Sequence, residues 1–476
     1  MVKSFVFLAQ IALAAAALIK RCEPELPTNG TRVFEAEAAT LSGNTRVATE
    51  FAGFTGTGYV TGFEASADKI SFTVPSTGQH LYDLTIRYAA IYGEKYAQVV
   101  LNNGAQDQVH FPAGDAWAEA SAGSVLLNDG VNKIDIIANW GWYLIDSITV
   151  SPTAPRPPHN VNENLVNPNA DADTVALYNL LRANYGKKIL SGQQEVEWAD
   201  WIQQQVGKTP AILGLDFMDY SPSRVEFMGQ TSQAVEQAIA FNNKGGIVTF
   251  AWHWNAPVGL YNTEERPWWS GFYTDATDFN IATALADTTN ANYTLLIRDI
   301  DAIAVQLKRL EDAGVPILFR PLHEAEGKWF WWGAQGPEPV KQLWDILYER
   351  LTNHHNLNNL VWVWNSVADD WYPGDATVDV LSADVYAQGN GPMSSYYNQL
   401  VDLGSDKKLV AATEVGAAPL PDLLKLYEAH WSWFCVWTAP FINDPEWNSA
   451  ANLETIYNDE YVLTLSDIQG WKEEYA

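Results

Sequence analysis

The chain has 476 residues, 47% of them hydrophobic and 18% charged, and carries a formal net charge of −29. That length holds roughly two to four domains, and the hydrophobic content excludes a disordered acidic chain. The negative charge excludes nucleic acid and anionic membrane surfaces as partners, since phosphates are bound by Lys and Arg, and leaves neutral or cationic ligands. The outlier is aromatic: 21 Trp and 21 Tyr. An indole packs well on a flat apolar face, such as the CH face of a sugar, while its N–H serves a polar partner.

In chain order, residues 1–21 read as a secretory or otherwise processed segment. Lys3 precedes a run from Phe5 to Ile19 that is apolar apart from Gln10, and Ala14 to Ala17 offers small residues for cleavage. Lys20-Arg21 is a candidate dibasic site. The run falls short of the about 20 residues a membrane span needs, so an extracellular protein is expected. The sequons Asn29-Gly30-Thr31 and Asn292-Tyr293-Thr294 suit that location. The two cysteines, Cys22 and Cys435, stand at the extreme N-terminus and in an apolar strand near the end. A bridge between them is not expected, so the core alone must hold the fold.

Residues 30–151 have the texture of a β-sandwich. Short alternating runs such as HLYDLTIRY and YAQVVLN are separated by Gly, Asn and Asp turns, which predicts a single all-β jelly-roll domain. Phe34-Glu35-Ala36-Glu37 opens it and Leu144 to Val150, LIDSITV, closes it. Glu35 and Glu37, two apart, are expected on one face of a strand. With Asp146 they would make a hard oxygen site for Ca²⁺; the bland reading is two solvated edge carboxylates. Trp140 and Trp142 flank Gly141 in a loop and are a candidate sugar platform, with one of the two expected in the core. These features resemble carbohydrate-binding modules of family 35, which implies a sandwich with a structural calcium and leaves the bound sugar open.

Residues 152–164 contain Pro152, Pro155, Pro157 and Pro158 and show no apolar periodicity, as a short, stiff linker would. From 165 to 476 strands and helices alternate. Apolar strands are predicted at 189–191, 211–215, 247–252, 317–322, 360–364, 378–385, 409–413 and 433–437, with helical runs such as TVALYNLLRANYG and VKQLWDILYERLTNHH between them. Eight such units point to a (β/α)₈ TIM barrel. No G-x-G-x-x-G follows the first strand, against a dinucleotide fold.

In this barrel chemistry collects where strands end. Those ends hold Trp252-His253-Trp254-Asn255, His323-Glu324, Trp364-Asn365, Asp384-Val385-Tyr386, Glu414 and Trp437. Glu324 and Glu414, at the ends of strands four and seven, face each other across the mouth. A carboxylate pair in an aromatic cleft is what glycoside hydrolysis uses: one acid protonates the leaving oxygen and the other supports the oxocarbenium-like carbon. Where the second attacks directly, the carboxyl groups sit ~5–5.5 Å apart and configuration is retained. Glu324, beside bulky rings, is expected to have a raised pKa and to serve as the acid; Arg320 and Tyr386 are expected to keep Glu414 ionised. The bland alternative for either Glu alone is a buried ion pair, with Arg320 the candidate partner. His323-Glu324 lacks the second His of a zinc helix motif, and no G-x-S-x-G elbow is present.

RPLHEAEGKWFWWG, WHWN, the YPGD of Tyr372–Asp375, SADVY and TEVG together resemble glycoside hydrolase family 26, above all its endo-β-1,4-mannanases, over residues 165–476. The resemblance implies Glu324 as acid/base and Glu414 as nucleophile. It implies His323 against the sugar beside the scissile bond, Tyr386 bonded to the nucleophile, Trp437 beneath the sugar, and His253 and Trp329 lining the pocket. It implies β-mannan polysaccharides and manno-oligosaccharides as partners, a monomer, and no cofactor for catalysis. Trp268 and Trp269, after strand three, are either a clamp for a distal sugar, which would favour longer products, or a loop packed on its own barrel. Glu326 is expected to be a supporting or solvated residue, and Trp331 and Trp332 are left without a role. The alternatives are a related glycanase acting on mixed-linkage glucan or β-1,3-xylan, and a lectin-like barrel that only binds sugar.

Overall fold

The computed structural model describes residues 30–476, apart from 105, 155, 230 and 231. The processed segment, Cys22 and the Asn29 acceptor lie outside the described residues. The chain divides into two compact units, one built mainly from the β-rich residues up to 154 and one from residue 155 onward. Among the described residues no helix is long and apolar enough to cross a membrane.

The first unit is two antiparallel sheets. One runs Arg46–Ala48, Tyr59–Thr61, Leu144–Pro152, His80–Ala89 and Ala118–Leu127, with Arg32–Glu35 also paired to Leu144–Pro152. The other runs Thr40–Ser42, Lys69–Ser76, Gly130–Trp140, Lys95–Leu101 and Gln106–Phe111. Burial alternates along His80–Ala89, so every second residue, such as Leu84 and Ile86, enters the core. The opening and closing motifs are strand partners: Phe34 lies opposite Ile148 and Glu35 opposite Ser147. The strand stops there, and Ala36–Ala38 turn into one 3₁₀ turn. Glu37 therefore sits on that turn and not on the strand face that its spacing implied.

The second unit is a closed ring of eight parallel strands: Ile189–Gln194, Ile212–Asp216, Ile247–Ala251, Ile317–Arg320, Leu360–Asn365, Val380–Val385, Leu409–Val415 and Trp433–Val436. A short strand, Val462–Leu463, pairs with the first of them. The barrel strands are buried almost throughout, because helices cover them outside and side chains fill them inside; hence their near-continuous apolar sequence. Helices such as Ala172–Asn184, Ala291–Asp312 and Pro337–Tyr348 turn an apolar stripe to the ring. The proline-containing segment is fastened to this unit: Asn160 N–H donates to Asp406 and Asn162 N–H to the carbonyl of Lys407. Asn292, the second glycan acceptor in the sequence, lies half-buried in the first turn of Ala291–Asp312.

Candidate active site

Strand four ends at Arg320, two residues earlier than its apolar run suggests. Pro321 to Glu324 form a turn in which Leu322 (φ 56°) and Glu324 (φ 52°) both adopt left-handed backbone. Two non-glycine residues in that region within three positions store strain, which persists where the surroundings over-determine the conformation. Here the Glu324 N–H donates to Asn365 Oδ1 at 2.9 Å. The Trp332 indole donates to the His323 carbonyl at 3.0 Å, and the Trp331 indole to the Trp254 carbonyl. Trp331 and Trp332 are fully buried, so these two indoles are the scaffold of the turn. Trp329 is partly exposed and donates to Glu324 Oε2 at 2.9 Å. Glu326 takes the Val367 N–H, tying the turn to the loop after strand five.

Glu414 is nearly buried on strand seven. Arg320 Nη2 donates to its Oε1 at 2.5 Å and the Tyr386 hydroxyl to its Oε2 at 2.8 Å. A third carboxylate stands beside the pair. Asp384 accepts from Arg320 Nη1 (2.7 Å), Asn365 Nδ2 (2.9 Å) and Thr413 Oγ1 (2.8 Å). One oxygen each of Glu324, Asp384 and Glu414 lies within 4.8 Å of the other two. Such a trio has the look of a cation site, but the fixed guanidinium of Arg320 already serves Asp384 and Glu414 in forked geometry. Burial opposes the charge of Arg320, and the two carboxylates outweigh it, holding the guanidinium firmly charged. Burial, opposed by Arg320 and reinforced by Glu414, lifts the Asp384 carboxyl to about 7, so this cluster with a single guanidinium resists a further negative charge. Burial pushes the Glu324 carboxyl well above the ordinary carboxylate range, and the negative charges of Asp384 and Glu414 push it further. Burial, then Glu414, raises the Tyr386 phenol, so it keeps the proton it donates.

The arrangement is therefore one protonated carboxyl beside one carboxylate held by two donors. Strand order explains it: the ends of strands four to seven bring Arg320, Asn365, Asp384 and Glu414 to one level, and a register shift between Ala383 and Asp384 sets Asp384 opposite Glu414. Of the residues singled out from sequence, His253 and His323 lie together, with ring nitrogens 3.1 Å apart. Trp437, one residue past strand eight, has its ring 5.9 Å from His253. Phe330 joins this wall, 5.1 Å from His323 and 5.5 Å from His253. Asp384, Asn365 and Phe330 were missed as site residues. The first two stand at strand ends in plain sight; nothing local marks them apart from a solvated Asp or Asn.

The Trp268-Trp269 pair divides. Trp268 stacks on Phe227 (5.4 Å, 6°) under the Arg224 guanidinium, whereas Trp269 is 55% exposed. Their loop is clipped to the strand-four turn by Thr274 N–H to the Trp329 carbonyl (2.7 Å) and Trp331 N–H to the Phe272 carbonyl (3.1 Å).

In the first unit, Trp140 and Trp142 are 52% and 56% exposed, so neither is core; the buried ring is Tyr143. Gly141 passes so close to Phe63 that a Cβ would lie 2.0 Å from its carbonyl oxygen, and this close approach, with Trp142 at φ 71°, turns both indoles outward. Glu35 accepts from the Thr55 hydroxyl at 2.8 Å and Glu37 from the Thr57 N–H at 2.5 Å. Glu37 Oε2 is buried with no hydrogen-bond partner. A buried carboxylate oxygen without a partner fits a bound cation. Asp146 accepts from Thr55 N–H and also pairs with Arg87, which already balances its charge.

The Glycosyl hydrolase family 26 profile matches residues 166–467 and that of Carbohydrate binding module (family 35) matches residues 32–153. A mannan endo-1,4-beta-mannosidase of Thermothelomyces thermophilus is 65% identical over 447 residues, 94% of this chain and 92% of that protein. Mannan endo-1,4-beta-mannosidase B of a Piromyces species is 34% identical over 91% of this chain and 77% of its own length. The crystal structure of a Podospora anserina GH26-CBM35 beta-(1,4)-mannanase superposes with a TM-score of 0.69 at 67% identity, covering 93% of this chain and all of that one. Two independent lines, a barrel that sets paired carboxylates at the ends of strands four and seven and a profile spanning that barrel, agree: the chain belongs to glycosyl hydrolase family 26 and carries a family 35 carbohydrate-binding module.

Proposed function

We propose that the chain is a secreted, retaining endo-β-1,4-mannanase that cleaves internal bonds of mannan, glucomannan and galactomannan, with Glu324 as acid/base and Glu414 as nucleophile. The observation that carries the chemistry is the pair itself: carboxylate oxygens within 4.8 Å, one group pushed up by burial and the other held by Arg320 and Tyr386. That proximity falls on the short side of the carboxyl separations that distinguish direct attack from displacement by water, and so favours retention. Glu414 attacks the anomeric carbon as Glu324 gives its proton to the departing glycosidic oxygen. Water then attacks the glycosyl–enzyme ester; Glu324 takes its proton, and Glu414 leaves as carboxylate. Mannan as substrate is supported by the 65% identical relative and by the solved neighbour, both of which carry that activity in their names. Secretion rests on the character of residues 1–21.

The partly exposed His253, Trp329 and Trp437 would form the wall against which the reacting sugar lies, with His323, which is fully buried, packed behind His253, and Trp269 offers a platform farther along. In the module, Glu35 and Glu37, with Asp146 nearby, would hold Ca²⁺, whose charge would tie the 3₁₀ turn to the Thr55–Thr57 loop. Trp140 and Trp142 would take the polysaccharide. The test is the sugar released from galactomannan, glucomannan, lichenan and β-1,3-xylan by the wild type and by Glu324→Gln and Glu414→Gln. Manno-oligosaccharides from the wild type alone support the reading. Activity confined to lichenan or xylan, or unchanged rates in either variant, contradicts it.

A further inference from the structure

We infer that Asn365 is a positioning residue for the proton-transfer half of the chemistry: its carboxamide holds the backbone of Glu324, and so serves that carboxyl rather than Glu414. Asn365 closes strand five and is buried. Its Oδ1 accepts the Glu324 N–H at 2.9 Å. Its Nδ2 lies 2.9 Å from Asp384 Oδ1, 3.1 Å from Thr413 Oγ1 and 3.2 Å from Ser382 Oγ. Donor and acceptor chemistry allows the amide one orientation. A backbone N–H only donates, so the amide oxygen must face Glu324. The amino group then faces three oxygens. The Thr413 hydroxyl spends its hydrogen on Asp384 at 2.8 Å and the Ser382 hydroxyl on the Trp364 carbonyl at 3.0 Å, so both turn lone pairs to the amide. A flipped amide would set its amino group against the Glu324 N–H and leave both without an acceptor there.

The two ends of the amide are not equally replaceable. Without Asn365, Asp384 keeps Arg320 and Thr413, and Glu414 keeps Arg320 and Tyr386. The Glu324 N–H has no other acceptor among the described residues. That N–H belongs to the turn in which Leu322 and Glu324 are both left-handed, so the bond to Asn365 is what opposes relaxation at Glu324 itself. The carboxyl end of Glu324 is gripped separately, by the Trp329 indole at 2.9 Å. Release of the N–H lets the Cα move while that grip stays, which turns the carboxyl away from the bond it protonates. A misplacement of about 1 Å costs about 100-fold in rate. The nucleophile, on another strand and with both its donors intact, is expected to stay in place.

The consequence for turnover rests on the mannanase reading above; the hold on the turn does not. The experiment compares two substrates in the full chain carrying Asn365→Ala. The sugar leaving group of mannohexaose needs the proton of Glu324, whereas the phenolate of dinitrophenyl β-mannobioside departs without one and needs only the nucleophile. In the variant, kcat/KM for mannohexaose is expected to fall about 10–100-fold and that for the dinitrophenyl glycoside by less than about threefold. Asn365→Asp keeps an oxygen against the N–H and is expected to recover part of the loss at about pH 5, where the added carboxyl is least charged. Equal falls on the two substrates, or an Asn365→Asp variant as slow as Asn365→Ala, overturn the inference. Hydrogen exchange followed by mass spectrometry needs no substrate. The Glu324 amide is expected to be protected in the wild type and to exchange about tenfold faster or more in Asn365→Ala, with the Glu414 amide unchanged. Free exchange at Glu324 in the wild type overturns the inference even if the alanine variant does not fold. Wild-type protein inactive on mannohexaose but with a protected Glu324 amide refutes the mannanase reading instead.

Discussion

The barrel mouth and the outer loops of the module use the same residue types, carboxylates and indoles, in opposite ways. At the mouth the carboxylates Glu414 and Asp384 are committed to fixed donors. Glu414 has two donors, Asp384 three, Asn365 bridges the Glu324 N–H to Asp384, and buried Trp332 and Trp331 spend their N–H groups on the carbonyls of His323 and Trp254. In the module Trp140 and Trp142 stand half in solvent, and Glu37 keeps one buried oxygen unspent. Chemistry needs reacting groups held before substrate arrives, because reorganisation at the moment of reaction raises the barrier. Binding a polymer surface needs exposed flat area, and tolerates less precision.

That contrast can be broken by substitution. The largest effects belong at the mouth. Glu414→Gln is expected to lower kcat on mannohexaose by roughly 10⁴-fold or more, and Glu324→Gln by roughly 10²–10⁴-fold, with no fall in the thermal midpoint of Glu324→Gln. Both are read by steady-state kinetics beside a thermal melt. Next is Tyr386→Phe, which removes one hydrogen bond to a carboxylate, worth about 1.5–3 kcal/mol, and should cost roughly 10–100-fold in kcat. Double substitution of Trp140 and Trp142 by Ala is expected to leave kcat on soluble oligosaccharide unchanged while weakening retention on insoluble mannan by about 1 kcal/mol per ring. A matching loss on the soluble substrate would remove the distinction between the regions. Smallest is chelation: EDTA should lower the melting temperature of the module by a few degrees and leave catalysis intact, with Ca²⁺ restoring it.

The pH dependence of stability sharpens the same point. Glu324 has a folded-state pKa above its unfolded value, so its neutral form favours folding fully below the ordinary carboxylate pKa. That contribution is lost as pH rises toward the folded value. Glu324→Gln, which cannot ionise, should therefore melt higher than the wild type by several degrees at mildly alkaline pH and not at pH 4. Equal melting shifts at both pH values would show that the carboxyl is not held neutral.

Much of this was legible in the sequence, and the misses have physical causes. Buried parallel strands are apolar on both faces, so all eight are readable from composition alone, and the first polar residues after them mark the mouth. The strand-four boundary was misjudged because Pro321 and Leu322 continue the apolar run; what ends the strand is left-handed backbone at Leu322, which apolar pattern does not encode. Glu35 and Glu37 misled by spacing, since period two implies a shared face only while the strand lasts, and it stops at Glu35. Trp140 and Trp142 were expected to split between core and surface; the close pass of Gly141 over the Phe63 carbonyl, a contact between distant residues, turns both outward. The part played by Asn365 escaped notice because what it holds, the Glu324 N–H, lies 41 residues away.

The direct test of the central claim is the anomeric form of the first product. ¹H NMR spectra taken within the first minutes of mannohexaose hydrolysis, before mutarotation, resolve the α and β reducing ends. Attack by Glu414 followed by water predicts that the β anomer appears first and the α anomer only by later equilibration. An α anomer at the earliest times would mean single displacement by water and would contradict the two-glutamate account.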